Sequence, residues 1–196
     1  MEGVEAFRFF LALQGEASRE EVRARFPALA PLLRALGEEL VIQGETFRLK
    51  RPLRLSWFAP LFQAFYPLLP ERERPLALER LVEAAFASAE AGEELVEGEG
   101  LLRAARAFQE GSLALLRQDA KTALHRYGES LGLLEKAGLP FPASALALLA
   151  LAQEAFRPGG KGKETAKKAL ERARTPFAEE MVARLLQATK GEGQGP

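Results

Sequence analysis

The chain leaves helical hydrophobic spacing in one place only, and that place limits what it can fold into. In Glu39-Leu40-Val41-Ile42-Gln43-Gly44-Glu45-Thr46-Phe47-Arg48-Leu49-Lys50, two β-rich runs flank Gly44, the signal for a hairpin that turns at the glycine. Pro52 has no amide hydrogen to give to a ladder and stops the second strand. Upstream, Val4, Phe7, Phe10, Leu11 and Leu13 recur at helical spacing, and Gly15 ends that helix. Ser18 is a good N-cap for a second helix, with Glu20 and Glu21 in the first turn and Val22 and Phe26 facing inward. A third, short helix covers roughly Ala28 to Leu36, with Pro31 near its start and Gly37 as its cap.

Residues 1–54 therefore read helix, helix, helix, hairpin. That is the order of a winged helix-turn-helix, and other small α+β units share it. After Pro52 the spacing is helical to the end. Trp57, Leu61, Phe62, Phe65 and Tyr66 mark an aromatic-rich linker helix, read as core rather than as a base-stacking platform. Leu76 to Ala91 is an amphipathic helix, and Gly92 to Gly100, with four glutamates, is an acidic loop. Helical tracts follow over Leu101–Leu116, Ala120–Lys136, Ala143–Phe156, Glu164–Arg174 and Phe177–Ala188. Gly111, Ala123 and Tyr127 fall at the spacing of a tetratricopeptide repeat, with Asp119 in the turn; Ala166 and Leu170 mark a weaker second unit. Small residues at those positions let two antiparallel helices approach closely. A generic bundle of alanine and leucine is the alternative. The expected fold is mostly α: a small N-terminal winged helix-turn-helix (three helices plus a β-hairpin) over 1–54, linker helices and an acidic loop over 55–100, a tetratricopeptide-like helical array over 101–189, and a flexible tail over 190–196.

Composition narrows the chemistry. The chain has no cysteine and one histidine, His125, which removes disulfides, thiolate metal sites, cysteine nucleophiles and multi-histidine metal sites. His125 beside Arg126 on a helix reads as a surface residue. In Arg157-Pro158-Gly159-Gly160-Lys161-Gly162-Lys163-Glu164-Thr165, Arg157 and Glu164 occupy the first-glycine and hydroxyl positions of a phosphate loop, and no strand precedes it, so this is a flexible basic loop. No enzyme activity, no cofactor and no metal are expected. No apolar run suits a membrane span, no signal peptide is visible at the start, and a cytoplasmic location without membrane contact is expected. Asparagine is absent and Asp119 is the single aspartate, which fits a thermophile or, equally, a GC-rich genome.

Charge is uneven beneath a neutral total of 27 basic and 27 acidic side chains. Residues 1–54 carry nine basic and eight acidic groups, residues 55–100 three and nine, residues 101–196 fifteen and ten. The acidic middle repels nucleic acid, whereas one small surface on a flank can still face it.

Leu33-Arg34-Ala35-Leu36-Gly37-Glu38-Glu39-Leu40, the hairpin ending Phe47-Arg48-Leu49, and Leu53-Arg54-Leu55-Ser56-Trp57-Phe58-Ala59-Pro60-Leu61 resemble the end of the recognition helix, the wing and the following helix of antibiotic-regulatory-type bacterial transcriptional activators. In that family a tetratricopeptide-like bacterial transcriptional activation domain comes next, and the helical array stands in the corresponding place. The resemblance implies a transcriptional regulator, with DNA as one partner and a protein partner or self-association through the helical domain. The sequence departs from the family in Ala28-Leu29-Ala30-Pro31-Leu32-Leu33-Arg34, a short apolar segment in which only Arg34 can donate to a base edge, so the DNA-binding helix is degenerate. Candidate DNA contacts are Arg34, the basic run Arg48, Lys50, Arg51 and Arg54 on and after the second strand, and Arg23 and Arg25 on the second helix. A tetratricopeptide-like interaction module without DNA binding is the alternative.

Overall fold

A computed structural model describes residues 2–193. These contain ten α-helices and one three-stranded antiparallel sheet, and they gather into two compact units that part between Arg80 and Leu81. None of the helices is long and apolar enough to cross a membrane.

The first unit runs α1 (Gly3–Gln14), β1 (Ala17–Ser18), α2 (Arg19–Arg25), α3 (Leu29–Leu36), β2 (Leu40–Gln43), β3 (Thr46–Leu49), α4 (Leu55–Phe65) and the start of α5 (Arg74–Glu90). The hairpin turns at Gly44, whose φ of 60° favours glycine, and its register sets Val41 opposite Arg48 and Ile42 opposite Phe47. The sheet holds a third strand beyond the expected hairpin. Its order is β1-β3-β2, with Ala17 opposite Phe47 and Ser18 opposite Thr46. Ser18 has a second role: its Oγ accepts the Glu21 amide at 3.1 Å and starts α2 as an N-cap.

Helix α1 carries phenylalanines on two faces because it is covered on two sides. Phe7 and Phe10 meet Phe26 edge-on at 5.2 and 5.6 Å, in a core with Val22, Leu36 and Phe47. On the other side Phe9 stacks on Phe58 and Phe65, each at 5.7 Å, and so holds α4. Burying each ring contributes about 2–3 kcal/mol, which makes α1 the spine of this unit. The Arg80 Nε of α5 donates to the Leu13 carbonyl at 2.8 Å, satisfying an acceptor in the last turn of α1.

The second unit holds the rest of α5 and then α6 (Leu101–Leu116), α7 (Ala120–Lys136), α8 (Ala143–Phe156), α9 (Gly162–Arg172) and α10 (Pro176–Gly193). The acidic segment before α6 has no helix of its own. Buried Gln109 secures it: the side-chain carbonyl accepts the Val96 amide at 2.9 Å and the side-chain nitrogen donates to the Glu94 carbonyl at 2.9 Å. Helices α6 and α7 pack on each other, with Gly111 of α6 against Tyr127 of α7. Gly111 lies against the Tyr127 ring, Ala123 and Tyr127 are fully buried, and the Tyr127 hydroxyl lies 3.0 Å from Ser112 Oγ. Burial pushes that phenol's pKa up. The Asp119 carboxylate accepts the Thr122 amide at 3.2 Å and caps α7. In the α8–α9 pair the contact glycine is Gly162, where a Cβ would stand 2.9 Å from the Ala150 carbonyl oxygen. Helix α10 packs on α8. It extends to Gly193, and the end of the tail expected over 190–196 lies outside the described residues.

Candidate functional site

The seven candidate arginines and lysines of the first unit fall into two groups. Arg25, half-buried in the last turn of α2, is held by Glu73 through both terminal guanidinium nitrogens, Nη2 to Oε2 at 2.7 Å, and its guanidinium lies 5.4 Å over the Phe10 ring. Arg51 pairs with Glu39 and lies 5.2 Å over the Trp57 ring. Half-buried Arg54 precedes α4 and donates to the Leu53 carbonyl at 3.1 Å. These three are engaged within the unit.

Arg23, Arg34, Arg48 and Lys50 are exposed, and none of the four has a side-chain hydrogen bond or ion pair among the described residues. They come from α2, the last turn of α3, β3 and the residue just after β3. The Arg48 side chain stands on a strand held between β1 and β2, and the Lys50 amide donates to the Glu39 carbonyl at 2.7 Å, so both backbones are fixed. The exposed positions of α3 are Ala30, Pro31, Arg34 and Ala35. That face offers one hydrogen-bond donor to a groove.

Two carboxylates organise the surrounding charges. Glu39 bridges Arg8 of α1, at 2.7 Å, and Arg51 beyond the hairpin. The Arg8 hydrogen bond foremost, with Arg51 behind it, holds the Glu39 carboxyl below the usual carboxylate range, and the Arg25 hydrogen bond does the same for Glu73. The basic run was legible in the sequence but these acceptors were not, because Glu39 lies 12 residues from Arg51 and 31 from Arg8, and Glu73 lies 48 from Arg25.

The second unit contains a cavity of about 210 Å³ lined by Phe86, Leu115, Leu151, Arg184 and Leu185 among others. Arg184 is paired with Glu180 at 2.8 Å and lies 5.8 Å over Phe86. The volume is below the roughly 300 Å³ at which small-molecule pockets begin. His125 is exposed, as expected, and lies 3.0 Å from Glu129 on its own helix. Phe156 at the end of α8 is 55% exposed, which the sequence does not signal. Its apolar spacing matched the helix, and only the packing of α8 reveals that this ring faces solvent. No family model, no curated protein and no solved structure matches this chain.

Proposed function

We propose that the chain is a regulator-like protein whose first unit is a winged helix-turn-helix holding a nucleic-acid duplex by its backbone, with a tetratricopeptide-like array for protein contact in the second unit. The order α1-β1-α2-α3-β2-β3 with a β1-β3-β2 antiparallel sheet supports the winged-helix reading. The resemblance of residues 33–61 to antibiotic-regulatory-type activators points the same way. One observation carries the function: among the described residues, four exposed cations on α2, on α3 and on or just after β3 are left without partners while their neighbours Arg25 and Arg51 are neutralised by Glu73 and Glu39. Phosphates are the natural counter-charge for such a set, and contacts of this kind position a duplex without reading its sequence.

The test is titration of a labelled random-sequence duplex at several salt concentrations. Four phosphate contacts give a log–log slope of roughly −3 to −4. The Arg48→Glu, Lys50→Glu variant abolishes binding with no loss of thermal stability, because neither side chain is packed. Absence of binding at low salt overturns the proposal. The second reading is an interaction module without DNA binding. It is favoured by the Ala30, Pro31 and Ala35 face of α3, which has the small apolar residues of a packing surface and lacks base-edge donors.

A further inference from the structure

We infer that the second unit carries a separate site for single-stranded nucleic acid, in which a base stacks on Phe156 and the strand follows the cations of the α8–α9 loop and α9. Residues 157–174 hold seven cations, Arg157, Lys161, Lys163, Lys167, Lys168, Arg172 and Arg174, against two carboxylates, Glu164 and Glu171. All seven are exposed. Arg157, Lys161, Lys163, Lys167 and Arg172 have no side-chain partner among the described residues, and the pairs of Lys168 with Glu164 at 3.8 Å and Arg174 with Glu179 at 3.7 Å are long and solvated. Helix α9 buries Gly162, Ala166 and Ala169 and half-buries Thr165 and Leu170, so over its length of about 16 Å the exposed positions are the cations Lys163, Lys167, Lys168 and Arg172 with Glu164 and Glu171 among them.

A charged helix alone is an ordinary solvated face. The exposed ring at its threshold is what distinguishes this one. Among the described residues Phe156 is the one aromatic of the large hydrophobics exposed to solvent, and it immediately precedes Arg157. The loop that follows is ordered by its own bonds. The Gly159 amide donates to Glu154 Oε1 at 3.3 Å, the Gly160 amide to the Arg157 carbonyl at 3.0 Å, and Thr165 Oγ1 to Gln153 Oε1 at 2.6 Å. Ring and first cations are thus set on a fixed backbone. A stacking ring beside a track of cations is the arrangement that holds single strands, whose bases are free to leave the helix axis and whose phosphates are flexible enough to follow a protein surface. A duplex offers no free base face along its length.

The site lies in the second unit and stands apart from the duplex-binding reading of the first. The experiment measures binding of labelled oligothymidylate, oligouridylate and a duplex to the full chain by fluorescence anisotropy. Both single strands bind tighter than the duplex does to the Arg48→Glu, Lys50→Glu variant, and that variant keeps full affinity for them. A preference between the two single strands reports the 2′-hydroxyl. Phe156→Leu, which keeps apolar bulk and removes the π-face, weakens single-strand binding at least about fivefold, while Phe156→Trp preserves it. Lys163→Glu with Lys167→Glu lowers the magnitude of the salt slope by about 1.4. Equal binding by Phe156→Leu and the unaltered protein overturns the inference. So does salt-sensitive self-association of the chain without oligonucleotide binding, in which case these cations meet the glutamates of another copy.

Discussion

A methyl group added at Gly111 would stand 2.7 Å from both Cδ1 and Cε1 of Tyr127, and that ring is fully buried and tied through its hydroxyl to Ser112. Alanine gains about 1 kcal/mol of helix propensity over glycine. Forcing an extra methyl into a closed contact costs about 1–3 kcal/mol, and here the cost wins because the ring has nowhere to move. At Gly128 on the facing helix nothing lies within 4 Å of the same methyl group, so only the propensity gain is left. Gly111→Ala therefore lowers and Gly128→Ala raises the unfolding free energy, by about 1 kcal/mol each, as read by urea denaturation. The close approach of Gly111 and Tyr127 was legible in the sequence because it depends on register along two helices. Gly162 makes an equally close approach and was not legible as a contact, since the glycines around it suggested only a loop.

At the level of elements, the hairpin and the three helices before it were legible because each has its own period or cap. Strand β1 was not: at two residues it is shorter than any period, and it exists because Thr46 and Phe47 of β3 offer it a partner. Pro31 in α3 was legible and falls at the third helical position, where a missing amide hydrogen is harmless. The tie between α1 and the base of the hairpin is the Glu39 carboxylate, shared by Arg8 and Arg51. Its folded-state pKa is depressed, as is that of Glu73. Both carboxylates thus contribute stability above the unfolded value of about 4.3 and lose it as pH falls through the lower folded value. Glu39→Gln costs about 1 kcal/mol at pH 7, modest because the pair is partly solvated. The difference from the unaltered protein shrinks as pH falls below about 4, and thermal melts across that range measure it.

Over the whole molecule, the charge asymmetry seen along the sequence has a structural counterpart. Acidic residues before α6 sit on a segment secured by Gln109, and basic ones after α8 coat α9. The cations of the candidate sites were legible as residue types. Which of them are free was not, because neutralisation by Glu39 and Glu73 is decided by tertiary contact. Exposure also orders the chain's susceptibility to cleavage. Lys161 is exposed in a turn, whereas Arg80 is half-buried within α5 and bonded to Leu13, so limited trypsin digestion cuts at Lys161 before Arg80, as mass spectrometry of the fragments reads directly. Most chains of two units part in a polar linker. Here they part inside α5, in a stretch where Ala77, Leu78, Leu81, Val82, Ala84 and Ala85 are all buried. A break there strands two raw helix ends, each with unbonded amides or carbonyls and a newly bared apolar stripe. Gene rearrangement can exchange a domain cleanly only where a cut is harmless, and a cut inside α5 is not.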